Sequence, residues 1–98
     1  MENNEHITCQ KHKRHIERYD GDMRELANDI GDLHYESLES FFHMLSEKIK
    51  EDSHKDKEGG REQLSKSLKE LSLSIGESAY NTNRAYKICA PYMDKENK

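Results

Sequence analysis

Tryptophan and valine are absent from this sequence, and its one proline, Pro91, stands close to the end. Everything before Pro91 is therefore free of the residue that most reliably breaks helices. Sustained alternation of apolar with polar residues is also missing, which leaves little from which to build strands. Cysteine is scarce: Cys9 and Cys89 lie near opposite ends in no CxxC pair, a pattern that fits reduced thiols better than a disulfide framework. Nowhere do eighteen apolar residues run together, and Met1 to Thr8 lacks the apolar core of a signal peptide. The expectation is therefore no membrane contact and a cytoplasmic location. Apolar residues are few in all, at 32% against 37% charged, with a mean hydropathy of -1.21 in a chain of 98 residues. A single domain of that size and composition has a thin core, because ordering each residue costs roughly 1–2 kcal/mol and a buried large aliphatic side chain returns about 1.5–3. Self-association is the expected remedy, so the protein is expected to be a homo-oligomer.

The apolar residues that are present keep a helical period, and the fold class they predict is all-α: a small antiparallel bundle of two to three long amphipathic helices, about 8–30, 33–50 and 61–90. The last is the clearest. Leu64, Leu68, Leu71, Ile75, Ser78, Thr82, Ala85 and Cys89 recur at alternating spacings of four and three, a heptad seam that starts large and ends small. Pro91 is expected to end it. Upstream, Tyr35, Leu38, Phe41, Phe42, Leu45 and Ile49 share one face, with Glu36, Glu39, His43 and Glu47 opposite. Between the two helices, residues 51–60 (EDSHKDKEGG) contain no apolar residue and end in a glycine pair, so they read as a polar connection where the chain reverses.

Ile16, Tyr19, Met23, Leu26 and Ile30 form another four-three seam, out of phase with the one that follows. The slip coincides with Gly31-Asp32, a stop glycine and a capping aspartate, which favours three helices broken there. The alternative break is Asp20-Gly21-Asp22, where Asp22 and Glu25 resemble a capping box. Residues 1–7 and 92–98 are expected to be loose tails of a single domain. Charge is uneven: residues 1–19 hold four Lys/Arg against three Asp/Glu, residues 20–62 six against thirteen, and residues 63–98 six against four. An acidic middle with mildly basic ends suits antiparallel packing.

Candidate chemistry is sparse. Cys9, His12 and His15 (CQKHKRH) supply metal-ligand types at spacing three, but on a helix Cys9 and His15 diverge by about 120° and do not clasp one tetrahedral ion. A half-site completed by another subunit, with Cys89 as a further thiol, defines the alternative function, a metal- or redox-responsive protein. Lys11, Lys13, Arg14 and Arg18 make the same stretch basic, yet no aromatic is interleaved for base stacking and the chain is acidic overall at net charge -4. An acidic protein surface is thus a better partner for it than nucleic acid. Phosphate-binding glycine loops and HExxH, GxSxG or EF-hand patterns do not occur, so no catalytic residue and no cofactor are expected. On the last helix Leu73 and Tyr80 project away from the heptad seam with Gly76 between them as a shallow notch, which suggests a contact surface.

A helical hairpin of about a hundred residues resembles the small substrates of type VII secretion, and Tyr92 to Glu96 fits their Tyr-x-x-x-acid tail spacing. Their Trp-x-Gly turn is missing, the connection here reading EDSHKDKEGG, so the resemblance covers five residues and carries no function with it. The sequence reading is a non-enzymatic helical interaction module, a small regulator or assembly factor acting as a homodimer, with an unidentified protein partner. Leu73, Gly76 and Tyr80 are its first candidate contacts, and Lys11, Arg14 and Arg18 its second.

Overall fold

The computed structural model describes residues 12–96, which form three helices and no strand: α1 (Met23–Gly31), α2 (Tyr35–Glu58) and α3 (Glu62–Glu96). Two of them, α2 and α3, pack as a long antiparallel hairpin, and the molecule is a flat rod of 62 × 28 × 14 Å. The all-α hairpin is as expected from the periodicity. Several boundaries are not.

The first helix is shorter than the predicted 8–30, because both candidate breaks are used. Asp22 caps α1 by accepting from the Glu25 N–H at 2.8 Å, and the Glu25 carboxylate accepts from the Asp22 N–H at 2.8 Å, a full capping box. Residues 12–22 lie outside any helix. Gly21 is needed there: a β-carbon would come within 2.7 Å of the Tyr19 ring, which folds back so that its hydroxyl donates to Asp29 Oδ2 at 2.5 Å. At the other break, Asp32 turns out to be the C-cap of α1, its N–H donating to the Asn28 and Ile30 carbonyls. The N-cap of α2 is His34, whose Nδ1 accepts from the Glu36 N–H at 3.0 Å. His34 thereby spends its lone pair on the helix start, and its ring sits 5.5 Å from that of Tyr86 on α3.

Residues 51–58, expected as loop, are helical, so the reversal is confined to Gly59–Gly60. A helix does not need apolar residues where the buried positions can be filled by hydrogen-bonded polar ones, and here those are Ser53 and Asp56, each 5% exposed. Gly60 adopts φ +82°, the left-handed conformation that closes the turn. Gly59 leaves room for Arg61, whose guanidinium would lie 2.6 Å from a β-carbon at that position and donates from Nε to Asp56 Oδ1 at 2.8 Å. Pro91 does not end α3 either. It removes one donor, to the Lys87 carbonyl, but Pro91 and Lys87 are both exposed, so water can serve the freed group.

The seam between α2 and α3 is made of small polar residues. Ser53 Oγ donates to the Ser65 carbonyl and Ser65 Oγ donates to the Ser53 carbonyl, both at 2.7 Å. One heptad along, Ser46 Oγ donates to the Ser72 carbonyl at 2.8 Å and Ser72 Oγ to the Ser46 carbonyl at 3.0 Å. Such reciprocal pairs require close backbones, which serine permits and leucine does not. The next position is Ala79, the one buried hydrophobic residue among those described. The true seam of α3 is thus Ser65, Leu68, Ser72, Ile75, Ala79, Thr82, Tyr86 and Cys89. Half of the predicted seam is kept, while Leu64, Leu71, Ser78 and Ala85 are each displaced from it by one residue. Leu71 is 45% exposed in consequence.

Candidate functional site

Serines at the centre of the seam leave the large side chains at its edge, as Leu68 and Ile75, or off it, as Leu64 and Leu71, and the heptad geometry decides to which side they turn. A residue one before or three after a seam serine turns about 100° or 60° to one side, and a residue one after or four after turns to the other. On α2 the first rule collects Leu45 and Ile49, joined by Leu38, Phe41 and Phe42, and on α3 it collects Leu64, Leu68, Leu71 and Ile75. The second rule collects Glu47, Lys50, His54 and Lys57 on α2, and Lys66, Lys69, Leu73 and Gly76 on α3. In an antiparallel pair related by a local twofold, equivalent positions fall on the same broad face, so the hairpin has one apolar face and one charged face.

The apolar face is incomplete as a core. Leu38, Phe41, Phe42, Leu45 and Ile49 are only half-buried, as are Leu64, Leu68 and Ile75, and no large side chain among the described residues is fully buried. Phe41 and Phe42 stack obliquely at 5.8 Å near its middle. The short helix α1 makes only marginal contact with the hairpin and does not cover this face. Along the seam edge, by contrast, polar groups are satisfied: Asn83 Nδ2 donates to Glu39 Oε1 at 3.1 Å, and Thr82 Oγ1 donates to the Ser78 carbonyl at 2.7 Å. No buried side-chain nitrogen or oxygen among the described residues lacks a partner.

Leu73 and Tyr80 are exposed, at 63% and 66%, on the outer edge of the charged face. Gly76 does not form a notch between them. It lies at the edge of the seam, where a β-carbon would stand 3.6 Å from Ser46 Oγ on α2, so it serves helix approach. Arg14 and Arg18 are exposed in the non-helical stretch before α1, beside Lys13, which holds Glu17 at 2.5 Å. Lys11 lies outside the described residues. So does Cys9, and His12 and His15 are exposed with no helix to set their spacing. No group of three or more His, Cys, Asp or Glu side chains among the described residues is placed to hold a metal ion. Cys89, half-buried, is a free thiol in a shallow cleft that it shares with His34, Tyr35 and Tyr92 at the open end of the hairpin. No helix among the described residues is long and apolar enough to cross a membrane.

One cluster escaped the sequence reading, namely the lysines of the charged face, because Lys57 and the neighbouring His54 sit in the stretch read as loop and the register between the helices was not yet fixed. Their signal was the register: once the turn is placed at Gly59–Gly60, counting outward along both helices brings Lys50 opposite Lys69 and His54 opposite Lys66. Comparison of the chain with protein-family models, with curated proteins and with solved structures finds no match. The geometry of the two faces is therefore what a functional reading has to work from.

Proposed function

We propose that this protein is a non-enzymatic helical interaction module whose working form is a homodimer, in which two hairpins bury their apolar faces against each other as a four-helix bundle. The observation that carries this reading is that Ala79 is the only buried hydrophobic residue among those described, although large apolar side chains run along one whole face. A second copy is the occupant this face fits. The stripe runs from Leu38 to Ile49 on α2 and from Leu64 to Ile75 on α3, about 18 Å along each helix, so it needs a flat and similarly apolar cover. A second hairpin offers that, at about the 800 Å² per partner typical of stable complexes. Each half-exposed large side chain has roughly 1 kcal/mol to gain from full burial, and eight of them supply what the thin single-chain core lacks. Leu73 and Tyr80 stay exposed in such a dimer and offer a further surface for a protein partner, consistent with a small cytoplasmic regulator or assembly factor.

Light scattering across a dilution series tests this on the wild type and on a Leu45→Glu, Leu71→Glu double variant. A particle of twice the 11.5 kDa chain mass is expected for the wild type, with the variant reduced to one chain. A wild type that stays monomeric at high concentration, with its helix content intact, would sink the self-association reading. A variant that stays dimeric would move the interface to another face.

A further inference from the structure

The charged face carries a groove of about 440 Å³ at the closed end of the hairpin. Lys50, His54 and Lys57 line it from α2, and Lys66 and Lys69 from α3. Its floor is the Ser53–Ser65 pair, and Glu62 is the one acid among its lining residues. This concentration of positive charge sits in a chain whose net charge is -4, so carboxylates were plentiful. Elsewhere the fold uses them: Lys13 holds Glu17, Lys48 holds Asp52 and Arg61 holds Asp56. None of the four groove lysines is among the ion pairs formed by the described residues.

Their arrangement gathers positive charge from both helices. The serine pairs fix a register in which Lys50 lies across from Lys69, and His54 across from Lys66. Like charges facing one another across packed helices repel, and the hairpin places opposite charges at the neighbouring Asp56–Arg61 contact instead. A one-sign cluster contributed by both helices and left out of the ion pairs, in a chain rich in carboxylates, is what a binding function calls for.

We propose that this groove is an anion site for a compact ligand bearing closely spaced phosphates. The groups present decide the class. Lysine ammonium groups are mobile point charges suited to phosphate oxygens, whereas no arginine lines the groove to grip a planar carboxylate in two-point fashion. The serine hydroxyls of the floor have already given their protons to backbone carbonyls, so recognition is by charge and favours the ligand with the densest charge. No phenylalanine, tyrosine or tryptophan lines the groove, and the His54 imidazole is its one ring, a small platform for a nucleobase beside four ammonium groups. From Lys50 to Lys57 is seven residues of helix, about 10 Å, the scale of a short phosphate chain. This site is on the opposite face from the apolar stripe and does not depend on self-association.

Titration calorimetry of the full chain with inorganic triphosphate at low ionic strength tests the assignment, with inorganic monophosphate, a nucleoside triphosphate and a nucleic-acid duplex as comparisons. Saturable binding of triphosphate is expected, at least about tenfold tighter than monophosphate and weakening steeply with salt. The nucleoside triphosphate should match inorganic triphosphate within a few-fold. A Lys50→Gln, Lys69→Gln variant should lose about tenfold or more in affinity, and Lys50→Arg, Lys69→Arg should retain most of it. Without ligand the glutamine variant should melt a few degrees higher than wild type at low salt, the difference vanishing at high salt, since it relieves the facing charges. Triphosphate binding no tighter than monophosphate, or unchanged in the glutamine variant, would overturn the proposal. So would a glutamine variant with no gain in melting temperature. Preference for the duplex would reassign the face to nucleic acid, and a tenfold preference for the nucleotide would show that a base is read.

Discussion

The two broad faces of the hairpin share one seam and have opposite fates: one leaves apolar side chains half-covered, the other leaves lysines facing each other. Both follow from what stands between the helices. Reciprocal Ser53–Ser65 and Ser46–Ser72 pairs hold the backbones close, and close backbones leave no room at the centre for leucine or phenylalanine. Most large residues then stand at the edge of the seam or beside it, and the heptad sends these to one side, with Leu73 and Tyr80 the exceptions on the other. A hairpin with leucines at its centre would bury them within one chain and present two polar faces. The serine seam instead makes the hairpin one layer of something thicker.

The largest effect is expected from breaking that seam. Ser53→Leu inserts a bulky side chain where the Ser65 backbone now lies, and should destabilise the hairpin by about 3 kcal/mol by urea denaturation, the upper part of the overpacking range. Ser53→Ala keeps the close approach and loses one hydrogen bond, so its cost should stay below about 1 kcal/mol. If leucine were tolerated as well as alanine, the difference between the faces would have to arise from something other than close packing.

A smaller effect tests the closed end, where both faces terminate. Asp56 is buried beneath Arg61, which is itself held over Gly59. Asp56→Ala should cost about 2 kcal/mol, because it strands a partly buried guanidinium, and adding Arg61→Ala should recover part of the loss. A double variant worse than the sum of the singles would show that the pair is not what orders the turn.

How much of this was readable from the residues depended on whether a position was occupied by carbon. Helical period placed α2 and α3, and Leu68, Ile75, Thr82 and Cys89 were found on the right line. Leu64 and Leu71 keep the heptad spacing as well as Ser65 and Ser72 do, and with a leucine beside each serine the period alone favours the leucines. What hides the serines is the reciprocal bonding to a carbonyl on the other helix, which is invisible until the register is known. The same blindness turned residues 51–58 into a loop, since their buried members are Ser53 and Asp56. At the first helix the Asp22–Glu25 capping box is as expected, Asp32 ends α1 instead of starting α2, and the chain breaks at both Gly21 and Gly31 where one break was expected. His34 as a cap was not legible, because histidine seldom plays that part.

That cap supplies the next prediction, at the open end where the apolar face begins. His34→Ala removes the acceptor for the Glu36 N–H and the ring beside Tyr86, and should cost about 1 kcal/mol. His34→Asn, which restores an acceptor without the ring, should recover the capping part. Equal losses in the two variants would assign the effect to the ring contact with α3.

The smallest effect belongs to the segment outside both faces. Tyr19 donates to the Asp29 carboxylate, and that hydrogen bond, with the neighbouring negative charges of Asp29, Glu25 and Asp22, pushes its hydroxyl up to about 12 from an ordinary value of 10. Because the raised value favours the neutral form in the folded chain, the contribution is intact below pH 10 and fades as the pH rises from 10 through 12. Ultraviolet titration of the five tyrosines should therefore show one ionising late, and the late step should disappear in Tyr19→Phe. Gly21→Ala should abolish it too, since a methyl group there meets the Tyr19 ring and displaces it from Asp29. Neither change should alter the oligomer or the anion groove, because this contact belongs to α1 and its approach, and α1 covers neither face. If Tyr19→Phe did weaken association, α1 would have to be part of the dimer's apolar cover, and the division into two faces would need a third element.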